Sequence, residues 1–350
     1  MPCPLCGLCR LFLRSLFLFG MDVMQNSLGP PLPAEKNTLT LERYPSPYLP
    51  ELKDQIAKFR GVRRDQIFLG VGSDEAIDIL IRIFCQPQAD TIMITPPTYG
   101  MYSVCAKVND VRVQEVPLTP DFALDIDSML KAVTRDTKII FVCSPGNPTA
   151  RSIPHADVVQ LCNRVGCMVV LDEAYVDFSE QGSACKLLDQ HSNLIVLQTM
   201  SKAFGLAGIR LGMALGAENL IQILNNVKAP YSVNKLTESV ARSAFNNLDS
   251  FVAKVEKIES QKKIVMDALK QMPFVKKVHP SDTNFILFSV PGYAHQVYKR
   301  IADEGIVIRY RGSCLHCTDC LRMTVGTPDE NIAFMKKLPE VYQAVVAESK

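Results

Sequence analysis

The chain has 350 residues, enough for two domains of ordinary size. With 47% hydrophobic and 21% charged residues it can bury a large core, which excludes a disordered protein. A net charge of +2 without a long basic run argues against nucleic acid or an anionic membrane as partner, and beyond the N-terminus the apolar runs are too short to span a membrane.

Residues 1–20 stand apart from the rest. They carry no acidic residue and two arginines, Arg10 and Arg14, with an apolar stretch Leu11–Phe19 broken by Arg14 and Ser15. A signal or transit peptide is one reading, although no small-residue cleavage site follows. A segment that is not the natural start of the domain is the other, and the fold is read without it.

The 12 cysteines are either scattered, as are the four named first, or gathered in two clusters. Cys85, Cys143, Cys162 and Cys167 sit in apolar runs and read as small core residues of a reduced, cytoplasmic protein. Cys3, Cys6, Cys9 and Cys314, Cys317, Cys320 form two C-x2-C-x2-C triples, the second with His316 inside it. Neither offers the two separated ligand pairs usual for structural zinc, so no metal is expected.

After the Pro-rich Gly29–Pro33, the segment Arg43-Tyr44-Pro45 is expected to be extended, because proline disfavours helix before it. Leu49–Phe59 has apolar residues at helical spacing, and Gln66–Val71 reads as a strand. Gly72-Ser73-Asp74-Glu75 then opens a helix to about Phe84, with a glycine for the turn, cap residues, and free backbone N–H groups suited to an anion. Thr91–Thr95 is a strand that turns at Pro96–Gly100 into a helix, Met101–Val108, placing Tyr99 where an aromatic can stack on a planar ring. Val111–Val116 is a strand and Ile126–Val133 a helix. The apolar strand Ile139–Cys143 runs into Ser144–Thr149, where Asn147 lies between two prolines. A helix Pro154–Val165 leads to the strand Cys167–Leu171, which ends in Asp172-Glu173-Ala174-Tyr175. An aspartate at the end of an apolar strand needs a cationic partner, and a protonated pyridine nitrogen is one.

The run Leu194–Leu197 delivers Thr199, Ser201 and Lys202 into a Gly/Ala-rich loop, with Arg210 eight positions after the lysine. A desolvated lysine among cations attacks carbonyls, and hydroxyls with a guanidinium hold phosphate. An aldehyde that carries phosphate, such as pyridoxal 5'-phosphate, fits both. The alternation of strands and helices indicates a mostly parallel sheet covered on both faces, with ligands beyond the strands' carboxyl ends. Gly72, Tyr99, Asn147, Asp172 and Lys202 all fall there. Beyond Gly216, helices at Glu218–Asn226, Asn234–Asn246 and Ser250–Met272 precede short strands at Thr283–Ser289, Ile306–Arg309 and Leu321–Val325. A helix Ala294–Glu304 and a last one from Asp329 to about Ala347 complete a smaller α+β part, with Arg309 and Arg322 in or beside its strands.

These segments together resemble a fold-type-I pyridoxal-phosphate aminotransferase, and within that group the histidinol-phosphate aminotransferases. The resemblance is carried by Arg43–Pro45, Gly72–Glu75, Pro97–Tyr102, Ser144–Thr149, Asp172–Tyr175, Ser201–Arg210 and Leu321–Gly326, in family order. It implies an N-terminal extension at 1–21, an arm at 22–43, a large cofactor domain at 44–245 and a small domain at 246–350. Lys202 would bond the cofactor and shuttle the α-proton, Asp172 would pair with the ring nitrogen, and Asn147 and Tyr175 would bind the ring oxygen. Tyr99 would stack on the ring, while Ser73, Asp74, Thr199, Ser201 and Arg210 would hold the phosphate. Tyr44 would reach the phosphate of a neighbouring subunit, which implies a homodimer. Arg322, assisted by Arg309, would take substrate anions, and Asn26 of the arm would contact substrate. Two positions depart from the family: Gly146 stands for a usual asparagine and Ala150 for a usual glycine. The arm Asp22–Ser27 matches the family only in part.

The activity so implied belongs to histidine biosynthesis: amino-group transfer between L-histidinol phosphate and 2-oxoglutarate, giving imidazole acetol phosphate and glutamate. An aromatic amino-acid aminotransferase or a threonine-phosphate decarboxylase is the rival on the same scaffold. A binding protein with a damaged arm is the rival from another class.

Overall fold

The computed structural model describes residues 30–33, 36 and 38–349; Asn26, the arm residues Asp22–Ser27 and the first cysteine triple lie outside them. The described residues up to Ser46 form one unit and Pro47–Lys350 another.

Seven strands of the second unit build one sheet: β1 (Ile67–Val71), β2 (Thr91–Ile94), β3 (Arg112–Glu115), β4 (Thr137–Cys143), β5 (Met168–Asp172), β6 (Leu194–Thr199) and β7 (Leu211–Leu215). Their order is β1-β7-β6-β5-β4-β2-β3. The pairs β2–β3, β2–β4, β4–β5 and β5–β6 are parallel, whereas β7 runs antiparallel to both β6 and β1. Six strands therefore share a direction, and their carboxyl ends share an edge.

The central strands are buried on both faces, which is why they read as unbroken apolar runs. Ile140, Val142, Val169, Leu171 and Val196 enter one core with the helix Pro50–Arg60 and the helix His155–Arg164. Their neighbours Ile139, Phe141, Val170, Ile195 and Leu197 enter a second core, on the face covered by the helix Gly72–Phe84. The side-chain period of two separates the cores.

A second sheet has the order β10-β11-β9-β8, all antiparallel, from β8 (Lys277–Val278), β9 (Phe285–Ser289), β10 (Arg309–Tyr310) and β11 (Cys320–Thr324). Helices Leu248–Lys270, Ala294–Asp303 and Pro328–Glu348 bury Val265, Leu269, Val297, Ile301, Phe334 and Leu338 against it. The last helix starts at a capping box: Thr327 accepts from the Glu330 N–H, and the Glu330 carboxylate accepts from the Thr327 N–H. Among the described residues no helix is long and apolar enough to cross a membrane.

Several elements differ from their sequence expectation, among them β8, a two-residue strand that the sequence does not announce. β7 was not expected as a strand at all. β9 begins at Phe285 rather than Thr283, because the Thr283 and Ser281 hydroxyls bond the Phe285 carbonyl and Thr283 accepts from the Phe285 N–H, replacing ladder bonds. Ile306 belongs to a helix cap rather than a strand: its N–H bonds the Ile301 carbonyl beyond Gly305, whose φ is 85°.

Candidate active site

At the carboxyl edge of the large sheet lies a cavity of about 200 Å³ lined by Gly72, Ser73, Asp74, Tyr99, Asn147 and Asp172 on one part of its wall. Tyr175, Thr199, Ser201, Lys202 and Arg210 line the rest, with Cys143, Ala174 and Ala207 between them. All five groups expected just past strand ends are thus in one cavity.

The floor is Asp172, 3% exposed at the end of β5. Its Oδ2 accepts from Tyr102 Oη at 2.7 Å and its Oδ1 from the Ala174 N–H at 3.1 Å. Burial pushes this carboxyl above its usual range, while the two donors pull it back. Lys202 follows β6, its Nζ 5.3 Å from the centroid of the Tyr175 ring. Burial, and after it the Arg322 guanidinium, draw the amine below the usual lysine range; Asp172 opposes them. Burial pushes the Tyr175 phenol up to about 12.

One end of the cavity is built for an anion. The helix Gly72–Phe84 points its N-terminus there, with Ser73 in its first turn. Gly72 has φ 75°, and a Cβ on it would come within 2.7 Å of Arg210 Nη2, so only glycine brings guanidinium and helix terminus this close. Thr199 Oγ1 donates to Ser201 Oγ at 3.0 Å, and Arg210 Nη2 lies 3.8 Å from Asp74 Oδ2. Asp74 also accepts from Tyr99 Oη at 3.1 Å. β7 locks this end: a Cβ at Gly212 would lie 2.1 Å from the Ser73 nitrogen.

Past Asn147 the site meets the small sheet, whose Arg322 and Arg311 stand behind the lining rather than in it. Arg322 on β11 donates from Nη1 to Asn147 Oδ1 at 2.5 Å, and its guanidinium lies 5.0 Å from the Phe285 ring centroid. Burial, and after it the neighbouring Arg311, draw the Arg322 guanidinium below the usual arginine range. The Nε atoms of Arg311 and Arg322 are buried without a hydrogen-bond partner among the described residues. Open donors on two adjacent guanidiniums suit a substrate anion. Arg309 pairs with Arg322 across β10 and β11, but it is exposed, donates to the Ile308 carbonyl and does not line the cavity. Tyr44, 52% exposed, lies in the unit before Pro47.

Sequence reasoning missed Tyr102 and Arg311. Tyr102 stands in the quoted run Pro97–Tyr102, three residues after Tyr99, which is helical spacing onto the same side. Arg311 alternates with Arg309 along one strand edge, a signal of period two. Among the described residues no group of three His, Cys, Asp or Glu is arranged to hold a metal; Cys317 and Cys320 are buried instead.

A half-buried lysine amine, a buried carboxylate at the floor, an aromatic side and a hydroxyl-and-guanidinium cradle fit a cyclic aldehyde phosphate. The chain belongs to the family described as aminotransferase class I and II, whose profile matches residues 27–338. Its relatives within that family include the histidinol-phosphate aminotransferase of Flavobacterium johnsoniae, 44% identical over 85% of this chain and 85% of that one. The fold is similar to a solved histidinol-phosphate aminotransferase of Sinorhizobium meliloti in complex with pyridoxal-5'-phosphate, with TM-score 0.82, 23% identity, and coverage of 92% and 89%. It is also similar to an L-threonine-O-3-phosphate decarboxylase of Porphyromonas gingivalis, with TM-score 0.75, 23% identity, and coverage of 88% and 93%. At such identities the structural likeness is one of fold.

Proposed function

We propose that this enzyme transfers an amino group from L-histidinol phosphate to 2-oxoglutarate, using pyridoxal 5'-phosphate. The observation that carries the reading is the presence of Lys202 and Asp172 in one cavity, joined through Asn147 to Arg322. The names of relatives above 40% identity select this reading over the decarboxylase, which shares only the fold.

Bound in the cavity, the cofactor supplies an aldehyde for the amino group and a ring that accepts the electron pair left at the α-carbon. Every other role falls to side chains. Lys202, with its lowered affinity for protons, would serve as the base that takes the α-proton and the acid that returns it. Asp172 would keep the ring nitrogen protonated. Ser73, Asp74, Thr199, Ser201 and Arg210 would anchor the phosphate, Tyr99 would cover a ring face, and Asn147 and Tyr175 would bind the ring oxygen. Arg322 would hold the α-carboxylate of glutamate in one half-reaction and the phosphate of histidinol phosphate in the other. Asn26 would add to the substrate contacts, whereas Arg309, outside the cavity, would act only through its charge beside Arg322.

A homodimer, with Tyr44 crossing to the partner's phosphate site, belongs to the same reading, as do the domain division at 245/246 and a cytoplasmic location. Cysteines scattered through the core support a reducing compartment.

The test is the visible spectrum of the purified protein. A yellow chromophore that bleaches on adding histidinol phosphate and returns with 2-oxoglutarate is the expected result. A yellow protein that ignores histidinol phosphate overturns the donor assignment, and release of CO2 from added L-threonine O-3-phosphate would install the decarboxylase in its place.

A further inference from the structure

Behind the Asp172 carboxylate stands a phenol with no role in the reaction as described so far. Tyr102, on the helix Met101–Val108, is 0% exposed, and its Oη lies 2.7 Å from Asp172 Oδ2. Its ring stacks on Phe141, centroids 4.7 Å apart and planes 11° from parallel, and meets Tyr99 edge-on at 5.6 Å. A ring clamped by two aromatics gives its hydroxyl one direction. With the Ala174 N–H on Oδ1, each oxygen of Asp172 has one fixed donor, and the carboxylate still lines the cavity.

The geometry points to Tyr102 as a positioning residue: its phenol holds the Asp172 carboxylate ionised and aimed, so that a charged rather than a neutral acid meets the cofactor's ring nitrogen. This rests on the cofactor reading above. A buried carboxyl without donors takes up a proton, and Tyr102 is the foremost influence opposing burial at Asp172. The other charged groups facing Asp172 are Asp74, which favours protonation, and Lys202, which opposes it. Burial keeps the Tyr102 phenol itself protonated well above the usual tyrosine range, with Asp172 and the Cys143 thiol beside it. The donor is therefore present at every working pH.

Tyr102→Phe keeps the stack and removes the donor alone. In the apo protein, 13C-aspartate NMR, with Asp172→Asn to identify the resonance, is expected to show the Asp172 titration moved up by about one pH unit or more. The dissociation constant for pyridoxal phosphate is expected to rise about tenfold or more. In the Asp172→Asn background that rise is expected to fall below about threefold, because the phenol acts through the carboxylate. An unmoved titration, or an undiminished rise in that background, overturns the proposal. Phe141→Leu loosens the same packing but keeps the donor; it is expected to lower the melting temperature and to move the titration by clearly less than Tyr102→Phe does, and an equal shift there also overturns it. Should Tyr102→Phe not fold, a chain carrying 4-aminophenylalanine at position 102 keeps the ring with a weaker donor. Its titration is expected between the two, and one identical to wild type sinks the idea. Failure of the cofactor reading shows separately, as a wild-type apo protein that takes up no pyridoxal phosphate.

Discussion

Burial and the Arg322 guanidinium both draw the Lys202 amine towards its neutral form, and only that form attacks a carbonyl. Cofactor uptake by the apo protein is therefore expected to quicken as pH rises through the lowered lysine value. Arg322→Leu removes the larger of the two guanidinium contributions, Arg210 being the other, so the lysine binds its proton more tightly and the limb moves to higher pH. The same variant is expected to raise KM for glutamate about 10- to 100-fold through loss of a charge-assisted bond. Stopped-flow absorbance across pH and steady-state kinetics check the two; a limb that does not move separates Arg322 from the amine. At Ala150 the backbone has φ 61° in a fully buried turn whose carbonyl accepts from the Asp282 N–H at 2.7 Å. The resembled family has glycine there, and Ala150→Gly is expected to stabilise the protein by about 1 kcal/mol, read by denaturant unfolding. The neighbouring Gly146 departs in the other direction: a Cβ would lie 2.2 Å from Thr149 Oγ1, so this turn has no room for the asparagine as it stands.

Among the elements, the run LIVLQT was legible because a strand buried on both faces is apolar throughout, and its end marked Lys202. The same logic placed Tyr99, Asn147 and Asp172 at one edge before any coordinates. β7 was not legible. Its residues LGMAL follow the lysine loop directly, and it is pairing on both sides, with β6 and with β1 about 140 positions back in sequence, that makes them a strand. Nor were Tyr102 and Arg311, since what marks them is a contact across the fold: a phenol on a carboxylate and a guanidinium beside another. β7 carries the tightest packing near the cavity. A Cβ at Gly212 would come 2.1 Å from the Ser73 nitrogen and 2.2 Å from the Gly72 carbonyl carbon, backbone atoms that cannot swing aside. Gly212→Ala is expected to destabilise by about 3 kcal/mol and to weaken phosphate binding together with it. Thermal unfolding and cofactor titration of one preparation test this; a stable variant that binds normally means β1 and β7 can part freely.

For the molecule as a whole, the family was legible because its motifs keep their order along nearly the full chain, and the profile match over residues 27–338 agrees. The exchange of Tyr44 between subunits is the part of the proposal that only an assembly can test. Lys202→Ala and Tyr44→Ala chains, each impaired alone, are expected on co-expression to give hybrids in which one site carries both lesions and the other neither. About a quarter of all sites would then be intact, and activity should return towards a quarter of wild type. No recovery would place Tyr44 in its own subunit's site. The position of β7 has a last consequence, which concerns time rather than space. Among the described residues β1 has one strand partner, β7, and that partner is made only when synthesis reaches Leu215. Until then Ile67–Val71 is an unpaired apolar segment on a growing chain, of the kind chaperones recognise. The cradle at Gly72–Ser73 exists only after β7 has inserted, so the cofactor reports the arrival of that strand. Ribosome-bound chains ending before Leu211 are expected to take up no pyridoxal phosphate, and chains that have extruded Leu215 and the helix after it are expected to begin to do so.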